Sequence, residues 1–342
     1  MILTIGSGSP HLILASHYDT MPPGDLNAWR SDPYTLTRSD GMLYGLGAAD
    51  MKAGIAAMLV AAARVAASGF PGTLTLVFAA DEENCSGDGM RWLAEEGLLA
   101  ADAGVVVEPS SVSERSWEKL YVAQRGSCLA WLDARGVPGH SGTVMDAGAR
   151  ASAVFGRAIP ALIESQPLSD RRHPVDGTPV TVNVATMVEG GMVPFAHPAA
   201  LRAAIDVRTI EGLTEEEVLE ALRRPIAEAG LAERVTIEPT EPPWNWFPPG
   251  ETARDERLLN AAVGAWREVL GQEPEQAVLT AGTDSSWLNA AGIPALPAFG
   301  PGSLGVAHKP NEWLPEQDVI TSVALFESLI LRYLEGDTRE PR

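Results

Sequence analysis

The apolar positions of this chain fall into short unbroken runs separated by polar, glycine- and proline-rich stretches. Residues 12–15 (LILA), 73–80 (TLTLVFAA) and 104–107 (GVVV) are three such runs. Runs of this length that do not alternate predict strands covered on both faces. Between the first two, residues 50–68 are rich in alanine and apolar on nearly every face, which predicts a buried helix. Phe70-Pro71-Gly72 ends it, and residues 87–96 predict a second helix. Strand, helix, strand, helix, strand is the order of an α/β fold with a doubly wound, mostly parallel sheet. Residues 1–10, ahead of the first run, read as a short Gly/Ser-rich lead-in.

From about Tyr121 the pattern changes. Strand positions now alternate, with Leu129 and Trp131 as apolar members, and a helix is predicted over 147–164. A Pro/Asp/Gly-rich loop over 167–179 leads to strands at 180–188 and 201–207, a charged helix at 214–229 and a strand at 234–238. These elements predict a smaller α+β domain over 122–238. The segment PTEPPWNWFPPG (239–250) reads as a linker or rim. The first pattern then returns: helix 254–270, strand 277–280, a helix opening at Ser285, strand 293–297, loop 299–311 and an amphipathic helix 316–334. The tail 336–342 is predicted to be disordered. The larger domain is therefore discontinuous, 1–121 with 239–342, and the smaller one is inserted into it.

An apolar content of 45% in 342 residues is enough for such cores. The net charge of −20 argues against nucleic acid and against anionic membrane surfaces as partners. The apolar run 53–63 stops at Arg64, short of a membrane span, and no signal-peptide pattern opens the chain. Two cysteines, Cys85 and Cys128, fit a reducing compartment. The expectation is a cytoplasmic protein.

Candidate chemistry sits at the ends of the predicted strands. His17 and Asp19 follow the first run, Asp50 opens the Ala-rich helix, Glu82 and Glu83 follow the second run, and Glu108 follows the third. His308 comes late, in AHKP. In an open α/β sheet these positions face one crevice. Imidazoles with carboxylates and no thiolate suit Zn²⁺ first, with Co²⁺ or Mn²⁺ as alternatives. Three or four of these residues suffice for one ion. About five suffice for two ions sharing a carboxylate and activating a water, with a spare carboxylate to take the proton. Each residue has a plainer reading: an Asp ahead of a helix is ordinarily a cap, and adjacent glutamates favour a helix start. Gly139-His140-Ser141-Gly142 is no nucleophile elbow, and Gly45-x-Gly47 lacks the rest of a dinucleotide fingerprint.

The motifs SHYDT, YGLGAADMKAG, DEEN, VEPS, GVPGHSG, AIDVR and GPGSLGVAHKPNEW occur in that order. Together they resemble the M20 family of metallo-aminohydrolases, of the acetylornithine deacetylase, succinyl-diaminopimelate desuccinylase and carboxypeptidase G2 type. The resemblance implies two divalent ions, one held by His17 and Glu108, the other by Glu83 and His308, with Asp50 bridging beside a cis peptide to Met51. It implies that Asp19 orients His17 and that Glu82 is the general base. It implies that His140 reaches a partner subunit's site in a homodimer formed through the inserted lid and dimerisation domain. Asn183 would contact substrate, and Gly282, Thr283, Gly300 and Gly302 would line its pocket. The implied activity is amide hydrolysis of an N-acyl amino acid. The alternatives are a dipeptidase or carboxypeptidase and, in another class, a non-catalytic metal- or ligand-binding relative. Family members usually carry a helix and more of the first sheet ahead of the metal-binding histidine, whereas here the strand starts almost at Met1. The expectation is either a start placed late or a shortened catalytic domain, in which a missing helix would expose apolar surface. Several also carry a substrate-clamping Arg after the inserted domain. Here that stretch reads EPTEPPWNWF, and Arg208 is read as structural.

Overall fold

The computed structural model describes residues 1–113, 115–143, 146–251 and 255–336. The predicted disordered tail lies outside them from residue 337 on, as does Arg254, the predicted start of a helix. The chain forms two compact units, Met1–Gln124 with Gly250–Arg342, and Arg125–Pro249. The second junction lies after the Pro-rich segment, because that segment is tied to the second unit. Thr240 N–H donates to Leu129 O, and strand Trp246–Phe247 pairs with Gly126–Arg135.

The first unit is built on a five-stranded sheet in the order Ile2–Ser7, Gly72–Ala79, His11–His17, Ala103–Val106, Ala295–Leu296. All neighbours are parallel except the first pair. Strand Ile2–Ser7 corrects the reading of residues 1–10 as a lead-in. Its short apolar run becomes a strand by antiparallel pairing with Gly72–Ala79, a partner remote in sequence. From His11–His17 the chain goes to a neighbour on one side and then to a neighbour on the other, so this strand flanks the topological switch point. His17 pairs with Ala79 and Ala15 with Val106. The register therefore brings the carboxyl ends of three strands side by side.

Helix Ala53–Ser68 packs on Glu316–Glu335, as does Glu256–Leu270. Trp266, Phe299 and Phe326 form a buried aromatic row with successive ring centroids 6.3 Å apart. The expectation of a fully buried Ala-rich helix is corrected: Leu59 and Val60 are each 44% exposed, because only the Ala57, Met58, Ala61, Ala62 and Val65 side is covered. Counted from Ala48 to Ser68 this run is long and apolar enough to cross a membrane, beyond what the break at Arg64 suggested, but one face serves as a core helix here.

The second unit has an antiparallel sheet in the order Thr181–Glu189, Ala200–Thr209, Gly126–Arg135, Val235–Pro239. Helices Ala151–Ser165 and Glu215–Glu228 close its core around Cys128, Leu132, Ile205, Val218 and Leu222. Thr214 starts the second of these with a capping box to Glu217. The alternation of Gly126–Arg135 buries Cys128, Ala130, Leu132 and Ala134, not Leu129 and Trp131. The buried face is apolar throughout, whereas Leu129 and Trp131 share theirs with Ser127, Asp133 and Arg135, so the uniformly apolar face goes to the core. Trp131 lies on the other face under the Arg202 guanidinium, 4.8 Å from its ring centroid.

Candidate metal centre

The three aligned strand ends deliver His17, the Glu82–Glu83 pair and Glu108 to one place, all in the first unit. His17 Nε2 lies 3.2 Å from Asp50 Oδ1 and 3.1 Å from Glu108 Oε1. His308 Nε2 lies 3.2 Å from Asp50 Oδ2 and 3.0 Å from Glu83 Oε2. Asp50 thus shows one carboxylate oxygen to each histidine. Within the trios His17, Asp50, Glu108 and Asp50, Glu83, His308, the candidate ligand atoms all lie within 4.8 Å of one another. The Asp50–Met51 peptide is cis.

The donor chemistry fits cations. His17 Nδ1 lies 3.1 Å from Asp19 O and 3.4 Å from an Asp19 carboxylate oxygen, so its N–H points there. In a neutral imidazole that leaves Nε2 as an acceptor, facing two further acceptors. Such a convergence is stable only around positive charge. Glu108 Oε2 is buried without a hydrogen-bond partner among the described residues. With side chains alone, protons supply the charge. Burial would lower the His17 pKa, but Glu108 and the bonds to Asp19 and Asp50 raise it well above the ordinary value. The bonds to Asp50 and Glu83 push His308 up to about 10. Burial works to raise Asp50, yet the two histidines hold it below the ordinary carboxylate range. Burial and the Asp50 charge push Glu108 up to about 8.

Glu82 belongs to neither trio. Its Oε2 lies 4.0 Å from His17 Nε2, and burial with the charges of Glu108, Asp284 and Asp50 raises its pKa well above the ordinary value. A carboxyl raised in this way, beside a cluster of metal-type ligands, is suited to accept and return a proton. Asp19 joins the two trios: besides facing His17, it accepts the Glu83 backbone N–H at 3.1 Å.

The remaining candidates are placed less centrally. Gly300 donates its N–H to Glu108 O at 2.6 Å, and a Cβ there would stand 2.1 Å from Val107 O, so only glycine fits. Gly302 is buried against Ala49. Gly282 is half-buried, whereas Thr283 is buried, with its hydroxyl 2.7 Å from Gln124 Oε1 and 2.9 Å from Pro297 O. In the second unit His140 and Asn183 are exposed. His140 Nδ1 accepts the Gly142 N–H at 3.1 Å, and Asn183 Nδ2 donates to Asp206 O at 3.3 Å. Sequence reading missed two buried carboxylates of the first unit. Glu312 binds the backbone around Asp50, and Asp284 accepts the Ser86 hydroxyl at 2.6 Å. Glu312 lies in the motif GPGSLGVAHKPNEW and Asp284 directly follows Thr283, but nothing in their spacing marks a role.

Residues 13–332 match the peptidase family M20/M25/M40. A succinyl-diaminopimelate desuccinylase from Parvibaculum lavamentivorans is 35% identical over 213 residues, 60% of this chain and 51% of that protein, so this match spans about half of the relative's length. One from Xanthomonas campestris pv. campestris is 32% identical over 348 residues, covering 97% of this chain and 86% of that protein. Among solved structures, an M20 family metallo-carboxypeptidase from Sulfolobus solfataricus matches with a TM-score of 0.79 at 18% identity, over 98% of this chain and 87% of that one. That last likeness is one of fold.

Proposed function

The chain belongs to peptidase family M20/M25/M40, and on that premise we propose that it hydrolyses the amide bond of an N-acyl amino acid using two divalent ions. The observation that carries this reading is Asp50, whose two oxygens face the His17–Glu108 and the His308–Glu83 pairs, with Glu82 close by and outside both. His17, Asp50 and Glu108 would hold one ion and Asp50, Glu83 and His308 the other, zinc in the first place and cobalt or manganese as alternatives. When bound, the ions supply a water acidified enough to act as nucleophile at neutral pH and polarise the scissile carbonyl. Glu82 takes the proton and delivers it to the leaving amine. Asp19 keeps the His17 ring turned with Nε2 toward Asp50 and Glu108. N-succinyl substrates are the first to test, given the names of the relatives.

The same reading makes the second unit the dimerisation element of a cytoplasmic homodimer. Its sheet ends in the edge strand Thr181–Glu189, and Met187, Val188, Met192, Val193 and Phe195 are between 41% and 98% exposed. An apolar group of that kind is expected at an interface. His140 would then serve the partner's site as an oxyanion donor, and Asn183 would contact substrate.

The test is metal analysis together with a hydrolysis panel on one purified sample. Near two ions per chain after incubation with Zn²⁺, Co²⁺ or Mn²⁺, and amine release from N-acetyl, N-succinyl or dipeptide substrates that chelator abolishes, is the expected result. The substrate cleaved separates deacylase from peptidase. Two ions with no turnover across the panel would favour a binding protein. No metal uptake on reconstitution would overturn the reading.

A further inference from the structure

Glu312 is 3% exposed and takes no part in either trio. Its carboxylate accepts three backbone N–H groups from one turn: Oε2 that of Gly47 at 2.9 Å, Oε1 those of Ala49 at 2.7 Å and Asp50 at 3.0 Å. The turn is irregular. Gly47 is left-handed (φ 71°), and Asp50 and Met51 have non-helical backbone angles, φ −117° with ψ 92° and φ −135° with ψ 34°. A Cβ on Gly47 would stand 2.4 Å from both Lys52 Nζ and Thr20 Cγ2, so the turn also depends on that glycine. Here one acceptor group collects three donors that the turn directs to a single point.

A second buried carboxylate this close to Asp50 is unfavourable by like-charge repulsion and desolvation. Lys52, whose Nζ donates to Leu46 O at 3.0 Å, offsets part of that repulsion. The segment that carries Glu312 is itself anchored. Asn311 Oδ1 accepts the Arg30 N–H at 2.6 Å, Asn311 Nδ2 donates to Ala28 O at 2.9 Å, and Gly45 N–H donates to Glu312 O at 3.1 Å. His308 lies on the same segment. One short stretch therefore holds a ligand of one trio and fixes the backbone of the residue shared by both.

We infer that Glu312 is a positioning residue, which holds the Asp50 turn so that the two carboxylate oxygens face opposite metal sites. The inference rests on the two-metal reading above. The test is calorimetric titration of Zn²⁺ into the 342-residue chain and its Glu312→Gln and Glu312→Ala variants, with kcat and KM measured on whichever panel substrate is cleaved. Glu312→Ala should weaken the weaker of the two sites by about 10–100-fold and lower kcat more than it raises KM. Glu312→Gln keeps one oxygen for the Ala49 and Asp50 donors and turns an amide NH₂ toward the Gly47 N–H, so its effect should be intermediate. Parental affinities at both sites in Glu312→Gln overturn the inference, whether or not Glu312→Ala folds. So does a variant that loses only thermal stability. A parent chain that fails to bind two ions overturns the underlying reading instead, which the parent titration reveals by itself.

Discussion

The two units handle chemistry in opposite ways. In the first, titratable side chains from separate segments converge at parallel strand ends, and burial and mutual charge displace the pKa values of His17, Asp50, Glu82, Glu108 and His308. In the second, His140 and Asn183 sit exposed, with partners from their own turn or their own sheet. A doubly wound sheet organises a site within itself, because register alone aligns its strand ends. An antiparallel sheet with two helices on one face makes a stable platform whose exposed groups act only against something else. The proposed chemistry is accordingly tested inside the first unit and, for His140 and Asn183, at the surface of the second.

The largest expected effect strikes at the first half of that contrast. Glu82→Gln keeps the shape of the side chain and removes its ability to accept a proton. It should lower kcat by about 10²–10⁴-fold, with metal content by elemental analysis unchanged. Full activity in this variant would leave the cluster as a metal site without its general base, and the contrast between the units would lose its chemical meaning. The next effect tests the second half. His140→Ala should lower kcat by about 10²–10³-fold, again without loss of metal. If His140 serves a partner's site, mixing the two inactive variants under subunit exchange should restore roughly a quarter of parental activity, since half of the random dimers carry one complete site. No recovery, with heterodimers shown to form, would place His140 within its own chain's chemistry or outside it altogether.

The contrast also explains what could be read in advance. Strand ends were legible, because continuous apolar runs stop abruptly at His17, at the Glu82–Glu83 pair and at Glu108. The order of motifs supplied Asp50 and His308. Strand Ile2–Ser7 was not legible, since it is a strand only by virtue of Gly72–Ala79. The phase of Gly126–Arg135 was obscured by Leu129 and Trp131, large apolar side chains that lie with Ser127, Asp133 and Arg135 on the less buried face. Glu312 was invisible for a deeper reason. Its partners are backbone N–H groups up to 265 positions away, and sequence marks side chains, not the direction in which a remote turn points its donors.

The smallest effect separates the units by titration. Asp284 is buried in the first unit, its Oδ1 bonded to Ser86 Oγ and its Oδ2 without a partner among the described residues. Burial pushes its pKa from 3.8 up to about 6, with the Ser86 bond pulling the other way. The folded chain therefore holds this proton after the unfolded chain has released it. The stability tied to the group is fully present below 3.8 and is lost as pH rises to about 6, a difference of ~3 kcal/mol. Asp284→Asn keeps an acceptor for Ser86 and removes the titration. Relative to the parent, the variant should gain stability between pH 4 and pH 7, read as the difference between urea unfolding curves of the chelated proteins. In the second unit, burial pushes the Cys128 thiol up to about 12, so it stays protonated across this range and contributes no slope. Parallel pH curves for parent and Asp284→Asn would mean that Asp284 is ionised in the fold at little cost. The first unit would then tolerate buried charge through its dipoles rather than by keeping protons.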